Sequence, residues 1–397
     1  MLWLVLGLLA AAAAGGEPTQ IREALFVPNP LPPLAVEHHG TFEPEPGIVA
    51  ERVSYASAYG MRVPAILYRP ARPSRKAPGL IVVNGHGGDK SSWYATYSGV
   101  LYARAGAFVL TYDPLGEGER NGRRESGTRE HDTLQKPDEI ALRLGGTMQT
   151  DVMQAVSYLA SRPEVDASRI AAAGYSMGSF VLSIACAHET RLRACVLAGG
   201  GNLDGPGEYW DTSKQMCQGL PYKALSFLGR RPERIFSLHA GRGPTLIVNG
   251  TEDTILQHQR RDPKAYFRLL QRLAAEARGT REGVFETLYE EKAGHRPLFV
   301  TRPVALWLER QIDFPDWTAA VIESMPVTHI GSWARDHRVA MDPLYATEHR
   351  EGGTLALGAD IPGIERDRLH VLSREEWERR RGEFVYSGWL KRVRGLQ

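Results

Sequence analysis

The segment Gly174, Tyr175, Ser176, Met177 and Gly178 lies between a run that reads as a strand, Arg169 to Gly174, and one that reads as a helix, Met177 to Ala187. A serine placed on so tight a strand-to-helix turn exposes its Oγ above the sheet, and the flanking glycines let the turn close without Cβ clashes. The chemistry this suits is nucleophilic attack on an acyl carbon. A serine hydroxyl needs a base to take its proton and an acid to orient that base, with the order along the chain serine, acid, histidine. Asp253 follows the run Thr245 to Gly250, and His295 follows a run ending near Glu290. Both would stand at carboxyl ends of strands, where open α/β sheets place their ligands. Asp253 is read as the acid, with Glu252 and Asp204 as its competitors, and its structural alternative is a helix-capping carboxylate.

Such chemistry also needs backbone N–H groups aimed at the developing oxyanion. One is expected from Met177, the residue after the serine. The other is expected from the glycine-rich stretch Asn84 to Asp89, with Gly88 favoured and Gly87 second. His86 is expected to brace that loop rather than to react.

These residues require a scaffold of alternating strands and helices. Ile48 to Ser57 and Met61 to Tyr68 read as an antiparallel hairpin, and Gly79 to Gly85 and Ala107 to Tyr112 as strands buried on both faces. Helical spacing follows over Ser98 to Ala105, Thr147 to Ser161 and Met177 to Ala187, with strands at Leu192 to Ala198, Pro244 to Asn249 and Phe285 to Glu290. Asp262 and Pro263 open a further helix as cap and first position. The pattern predicts an α/β fold with a mostly parallel eight-stranded sheet covered by helices on both faces, over residues 48–313. Residues 15–47, rich in proline, read as an extended arm. Residues 314–397, with Trp317, Trp333, Trp377 and Trp389 and a turn at Glu351 to Gly353, read as an extension packed on the core.

The 397 residues carry 48 Lys and Arg against 46 Asp and Glu, a net charge of +2, with 43% hydrophobic residues, which excludes the profiles of a nucleic-acid binder and of a disordered chain. The apolar run Leu2 to Ala14 is shorter than the roughly 20 residues a membrane-spanning helix needs, and residues 1–14 read as a signal peptide. The mature chain is then exported, periplasmic or extracellular, with no membrane span. Cys186, Cys195 and Cys217 are too few and too scattered for a disulfide framework or a zinc site, and their odd number leaves a free thiol. Gly116 to Asn121 lacks the third glycine of a dinucleotide loop. No cofactor or metal is implied, and the oligomeric state is not legible.

Over residues 48 to 312 the chain resembles the α/β-hydrolase superfamily, in its dienelactone hydrolase and acetylxylan esterase-like branch. The resemblance rests on Asn84 to Gly88, Asp113 to Arg120, Ser161 to Asp166, and the set Ser176, Asp253 and His295. It implies a cofactor-independent serine hydrolase acting on a small-molecule or carbohydrate ester. A serine peptidase of the prolyl oligopeptidase type is the alternative enzyme, against which no propeller repeat is visible, and a non-catalytic binding protein of the same fold is the alternative class. Two segments could shape specificity. Gly116 to Gly146 carries Arg120, expected as a buried anchor, and Arg123, Arg124 and Arg129, expected as substrate contacts; Asn202 to Gly243 carries Tyr209 and Trp210.

Overall fold

In the computed structural model, which describes residues 16–134, 139–213, 215–281, 283–341 and 354–396, the apolar run Ala77–Val83 forms the middle strand of a sheet. The nine strands of this sheet are β1 (Glu37–Glu45), β2 (Ile48–Ala56), β3 (Arg62–Pro70), β4 (Ala77–Val83), β5 (Phe108–Tyr112), β6 (Val165–Tyr175), β7 (Ala194–Ala198), β8 (Thr245–Gly250) and β9 (Glu286–Glu290). Their order is β1-β2-β3-β5-β4-β6-β7-β8-β9. β1, β2, β3 and β5 pair antiparallel, and the strands from β5 to β9 pair parallel. Leu80 and Val82 of β4 face one core cluster and Ile81 and Val83 the other, so the strand reads as one apolar run because both of its faces are covered.

The expected eight strands become nine, and the proline-rich arm is corrected in two places. Residues 16–24 are helical (α1), with Pro18 in the first turn, where its missing N–H costs nothing, and Ile21 and Leu25 fully buried. Residues Glu37–Glu45 form β1, paired from Glu37 opposite Ser54 to Glu45 opposite Ile48. An edge strand that is exposed or half-buried along its length carries no strong period-two signal, and it tolerates Pro44 because its outer N–H groups need no partner. The signal-peptide reading of residues 1–14 and the turn at Glu351 to Gly353 lie outside the described residues.

Helices cover both faces: α2 (Trp93–Arg104), α3 (Glu139–Ser161) and α4 (Met177–His188) each begin near or before the positions expected. Cys186 of α4 is disulfide-bonded to Cys195 of β7, a single bridge that the scattered spacing did not foretell, and Cys217 is free and buried. The tryptophans of the C-terminal extension enter the same two cores as the sheet. The Trp333 ring lies edge-on to Tyr97 at 5.0 Å, Trp377 Nε1–H donates to the carbonyl of Glu119 at 2.9 Å, and Trp389 Nε1–H donates to Thr147 Oγ1 at 3.0 Å. All three rings are buried, and each indole N–H has a partner.

Candidate active site

At the end of β6 the backbone turns through Ser176 at φ 51°, ψ −111°, a conformation that a side-chain-bearing residue rarely adopts. Both flanking glycines are sterically required. A Cβ on Gly174 would lie 2.5 Å from the Gly178 carbonyl oxygen, and one on Gly178 would lie 2.2 Å from that of Val83. The strain is therefore held by a turn with no room to relax, and Ser176 Oγ is left facing a cavity of about 1410 Å³.

His295 Nε2 lies 2.9 Å from Ser176 Oγ, and His295 Nδ1 lies 2.8 Å from Asp253 Oδ2. Asp253 is buried, while the other carboxylate oxygen, Oδ1, accepts from the N–H groups of Ile255 and Leu256 at 3.0 Å each. The capping role and the histidine-orienting role are thus both filled, one by each oxygen. The competing acids stand elsewhere: Glu252 is exposed, and Asp204 is buried against the N–H of Trp210 and the Arg260 guanidinium. Burial pushes the Asp204 carboxyl up to about 6, partly offset by Arg260. Sequence reasoning missed Gly199, at φ +59°, where a Cβ would sit 3.0 Å from His295 Cε1. Its lack of a side chain makes room for the imidazole.

Among the candidate oxyanion donors, Met177 is the first residue of α4, and its N–H is among those that a helix leaves without an intrahelical acceptor. Gly88 does not stand as expected, because its N–H donates to the Gly85 carbonyl at 3.0 Å and is committed to closing the loop. The N–H groups of His86 and Gly87 have no hydrogen-bond partner among the described residues, and both residues line the cavity. A Cβ on Gly88 would collide with Tyr94 Oη at 2.1 Å, so glycine here lets Tyr94 fold under the loop and accept from the Gly85 N–H at 3.1 Å.

Beneath this loop lies a buried ionic cluster built from the Asp113 to Arg120 segment. Lys90 Nζ contacts Asp113 Oδ2 at 2.5 Å and Glu119 Oε2 at 2.8 Å, and Arg124 contacts Glu119 Oε1 at 2.6 Å. Burial disfavours the Lys90 charge, but Asp113 and Glu119 outweigh it and hold the ammonium raised. Burial opposes ionisation of Glu119 too, yet Lys90 brings it down to about 2. Arg120, fully buried, pairs with Asp151, the anchor expected of it.

The expected substrate contacts separate. Arg129, Tyr209 and Trp210 line the cavity that holds Ser176. Arg124 does not reach it: the guanidinium is buried on Glu119 and the Leu372 carbonyl, with its plane over Trp377. Arg123 is exposed on a separate, shallower depression. The opposite wall comes from the C-terminal extension through Arg338 and Arg366, the latter bound to Asp89 at 2.5 Å. No sequence motif marks those two arginines as wall residues.

The chain matches the prolyl oligopeptidase family over residues 137–320 and the acetyl xylan esterase family over residues 44–198. It is similar to YtaP of Bacillus subtilis (strain 168), a protein that bears the name of a hydrolase, at 26% identity over 175 residues, which is 41% of this chain. That match spans 56% of the relative's length. Among solved structures, Acetyl Xylan Esterase 1 from Thermoanaerobacterium sp. JW/SL YS485 is similar with a TM-score of 0.51 at 16% identity, covering 75% of this chain and 94% of that one. Methylesterase BT1017 is similar with a TM-score of 0.52 at 17% identity, covering 95% of this chain and 70% of that one. At these identities the likeness is one of fold.

Proposed function

We propose that the chain, which has the α/β-hydrolase fold and matches the acetyl xylan esterase family over residues 44–198, is a serine carboxylic ester hydrolase with Ser176, His295 and Asp253 as its catalytic residues. The observation that carries this reading is the unbroken line from Ser176 Oγ through His295 to the buried Asp253, at 2.9 and 2.8 Å.

In this mechanism His295 Nε2 takes the Ser176 proton as Oγ attacks the ester carbonyl. Asp253 Oδ2 accepts from Nδ1–H, which fixes the tautomer and stabilises the imidazolium. The Met177 N–H, with an amide of His86 or Gly87, holds the oxyanion. Collapse returns the proton from His295 to the departing alcohol and leaves an acyl-serine. Water, deprotonated by the same imidazole, then releases the acid. No step calls for a cofactor.

The size and polarity of the cavity favour a carbohydrate or similarly hydroxylated ester. At about 1410 Å³ it exceeds the usual range for small-ligand pockets, and Tyr209, Trp210, Arg129 and Arg338 supply stacking faces and forked donors. Export is part of the proposal: the apolar run Leu2 to Ala14 suits a secretory signal, and the Cys186–Cys195 bridge suits an oxidising compartment. The match to the prolyl oligopeptidase family favours a second reading, hydrolysis of a peptide bond by the same three residues.

A fluorophosphonate labelling test followed by a substrate panel decides between them. Wild type should be labelled and Ser176→Ala should not, with the fold intact by circular dichroism. Acetylated sugars and methyl esters should turn over faster than proline-containing peptides. Labelling that survives in Ser176→Ala would remove the serine from the mechanism, and a preference for peptides would replace the esterase reading with the peptidase one.

A further inference from the structure

We propose that His86, His131, Asp132 and Cys217 form a binding site for a divalent transition metal, with Zn²⁺ the best fit, behind the wall of the cavity. One ligand atom from each lies within 4.8 Å of all the others. His86 Nε2 is 3.3 Å from Cys217 Sγ and 3.6 Å from Asp132 Oδ1. Asp132 Oδ1 is in turn 3.5 Å from Cys217 Sγ and 3.5 Å from His131 Nε2. A tetrahedral Zn²⁺ with bonds of about 2.0 to 2.3 Å sets its ligands roughly 3.3 to 3.8 Å apart, so these four spacings are already the edges of such a tetrahedron.

Two further observations point to a ligand rather than to self-satisfied packing. His131 is fully buried, yet its Nε2 has no hydrogen-bond partner, an arrangement proteins rarely leave uncompensated. Its Nδ1 lies 2.8 Å from the Leu115 carbonyl, so Nδ1–H donates there and Nε2 carries a bare lone pair aimed into the cluster. This is the outer-shell bond that metal-binding histidines make. Asp132 is oriented in the same manner, because its other oxygen, Oδ2, is held by Arg129 at 2.6 Å and Oδ1 is left for the cluster.

The surroundings keep the imidazoles in place. The His86 and His131 rings are stacked with centroids 5.4 Å apart, and a Cβ on Gly116 would lie 2.9 Å from His131 Nδ1, so only glycine leaves room for that ring. One thiolate and one carboxylate balance the charge of a divalent cation, and two neutral imidazoles complete an N₂OS set suited to zinc. On binding, the Cys217 thiol proton is released to water. The Asp132 and His86 side chains are 28% and 16% exposed, which leaves an approach from solvent.

The site joins three segments: the loop carrying the His86 and Gly87 amides, the Gly116 to Leu134 loop, and the segment containing Tyr209 and Trp210. A bound ion would hold the loop of His86 and Gly87 against the segment that carries Tyr209 and Trp210. Cysteine spacing carries no sign of such a site, because its ligands are separated by up to 131 residues along the chain.

The test uses Zn²⁺ itself, so it does not depend on the esterase reading. Full-length protein treated with chelator and dialysed against Zn²⁺ should retain about one equivalent by mass spectrometry of the metal. Cys217→Ser and His131→Gln should lose it, and His295→Ala should keep it. Loaded with Co²⁺ instead, the wild type should show a sulfur-to-cobalt charge-transfer band and tetrahedral d–d absorption, a readout that needs no variant to fold. Wild type that takes up no equivalent, cobalt spectra without the sulfur band, or Zn²⁺ retained in both Cys217→Ser and His131→Gln would each overturn the proposal. Zn²⁺ lost only in His295→Ala would overturn it as well, by placing the ion on the catalytic histidine.

Discussion

Asp253 divides its carboxylate between two tasks: Oδ2 binds His295 Nδ1 at 2.8 Å while Oδ1 caps the short helix Thr254–Gln259 through the N–H groups of Ile255 and Leu256. The cap fixes the carboxylate plane, and the fixed plane aims Oδ2 at the imidazole. The helix start that seems a purely structural use of the aspartate is therefore what makes it a precise partner for His295.

This division separates activity from stability. Asn caps helices as well as Asp does, so Asp253→Asn should leave the unfolding midpoint near wild type while kcat falls by a factor on the order of 10⁴, because the amide cannot hold the same tautomer. Asp253→Ala should lose the activity and, in addition, about 1 kcal/mol of stability from the cap. Steady-state ester hydrolysis and urea titration on the two variants measure both quantities. An Asn variant with near-normal kcat would exclude Asp253 as the partner of the base.

Lys90 pairs with two carboxylates that water does not reach, one of which Arg124 also contacts. Removing it leaves Asp113 and Glu119 with less positive charge, so Lys90→Met should destabilise the fold by about 3 to 5 kcal/mol, the range for breaking a buried ion pair from one side. Chemical denaturation provides the measurement. A loss well below that range would mean that the carboxylates take up protons or reach solvent.

The cavity wall predicts where substrate selectivity resides. Arg129→Ala and Arg338→Ala, alone or together, should raise KM for an ester bearing a sugar or a carboxylate, while hydrolysis of a small neutral aryl acetate stays nearly unchanged. Arg123→Ala, outside the cavity, should alter neither. Equal losses on both esters from the Arg338 change would reassign that arginine to holding the extension in place.

His188 and His239 make the fold sensitive to acid. Burial, reinforced by Arg22 and by Arg242 respectively, pushes each imidazole down to about 3 from an ordinary value of 6.5. Both are accommodated as neutral rings. His239 lies 2.7 Å from the Ser183 carbonyl and 3.1 Å from Thr245 Oγ1, and His188 lies 3.1 Å from Gln149 Oε1. Between about pH 6.5 and 3 the unfolded chain then binds protons that the folded chain does not, so this contribution is present above pH 6.5 and is lost as pH falls. Asp204, raised by burial to about 6, works in the opposite sense, so the imidazole effect is best isolated by substitution. Unfolding free energies at pH 7 and pH 5 should differ less in His239→Gln than in wild type. An unchanged difference would show that the imidazole is protonated within the fold.

Much of the arrangement proposed as catalytic was legible from the chain because it is local. The elbow around Ser176 is encoded by five consecutive residues, since the clash that a Cβ would cause at Gly174 is with the Gly178 backbone only four residues on. The strand before Asp253 is an apolar run buried along its length, the strand before His295 is a half-buried edge strand, and the order serine, acid, histidine follows from successive crossovers in a parallel sheet.

What only the tertiary structure decided are the pairings in which a residue has several acceptable partners. Gly88 read as a free donor until the Gly85 carbonyl took its N–H, and Arg124 read as a substrate contact until Glu119 and the Leu372 carbonyl buried it. β1 became a strand only because β2 offered an edge. The second wall of the cavity came from the C-terminal extension, whose tryptophans had first to find the two cores. Turn sterics and strand patterning act over a few residues and are written in composition and spacing. The partner of a guanidinium or an amide is settled by which surfaces desolvation brings together: Glu119 is only five residues from Arg124, yet the Leu372 carbonyl that completes the burial of that guanidinium is 248 residues away.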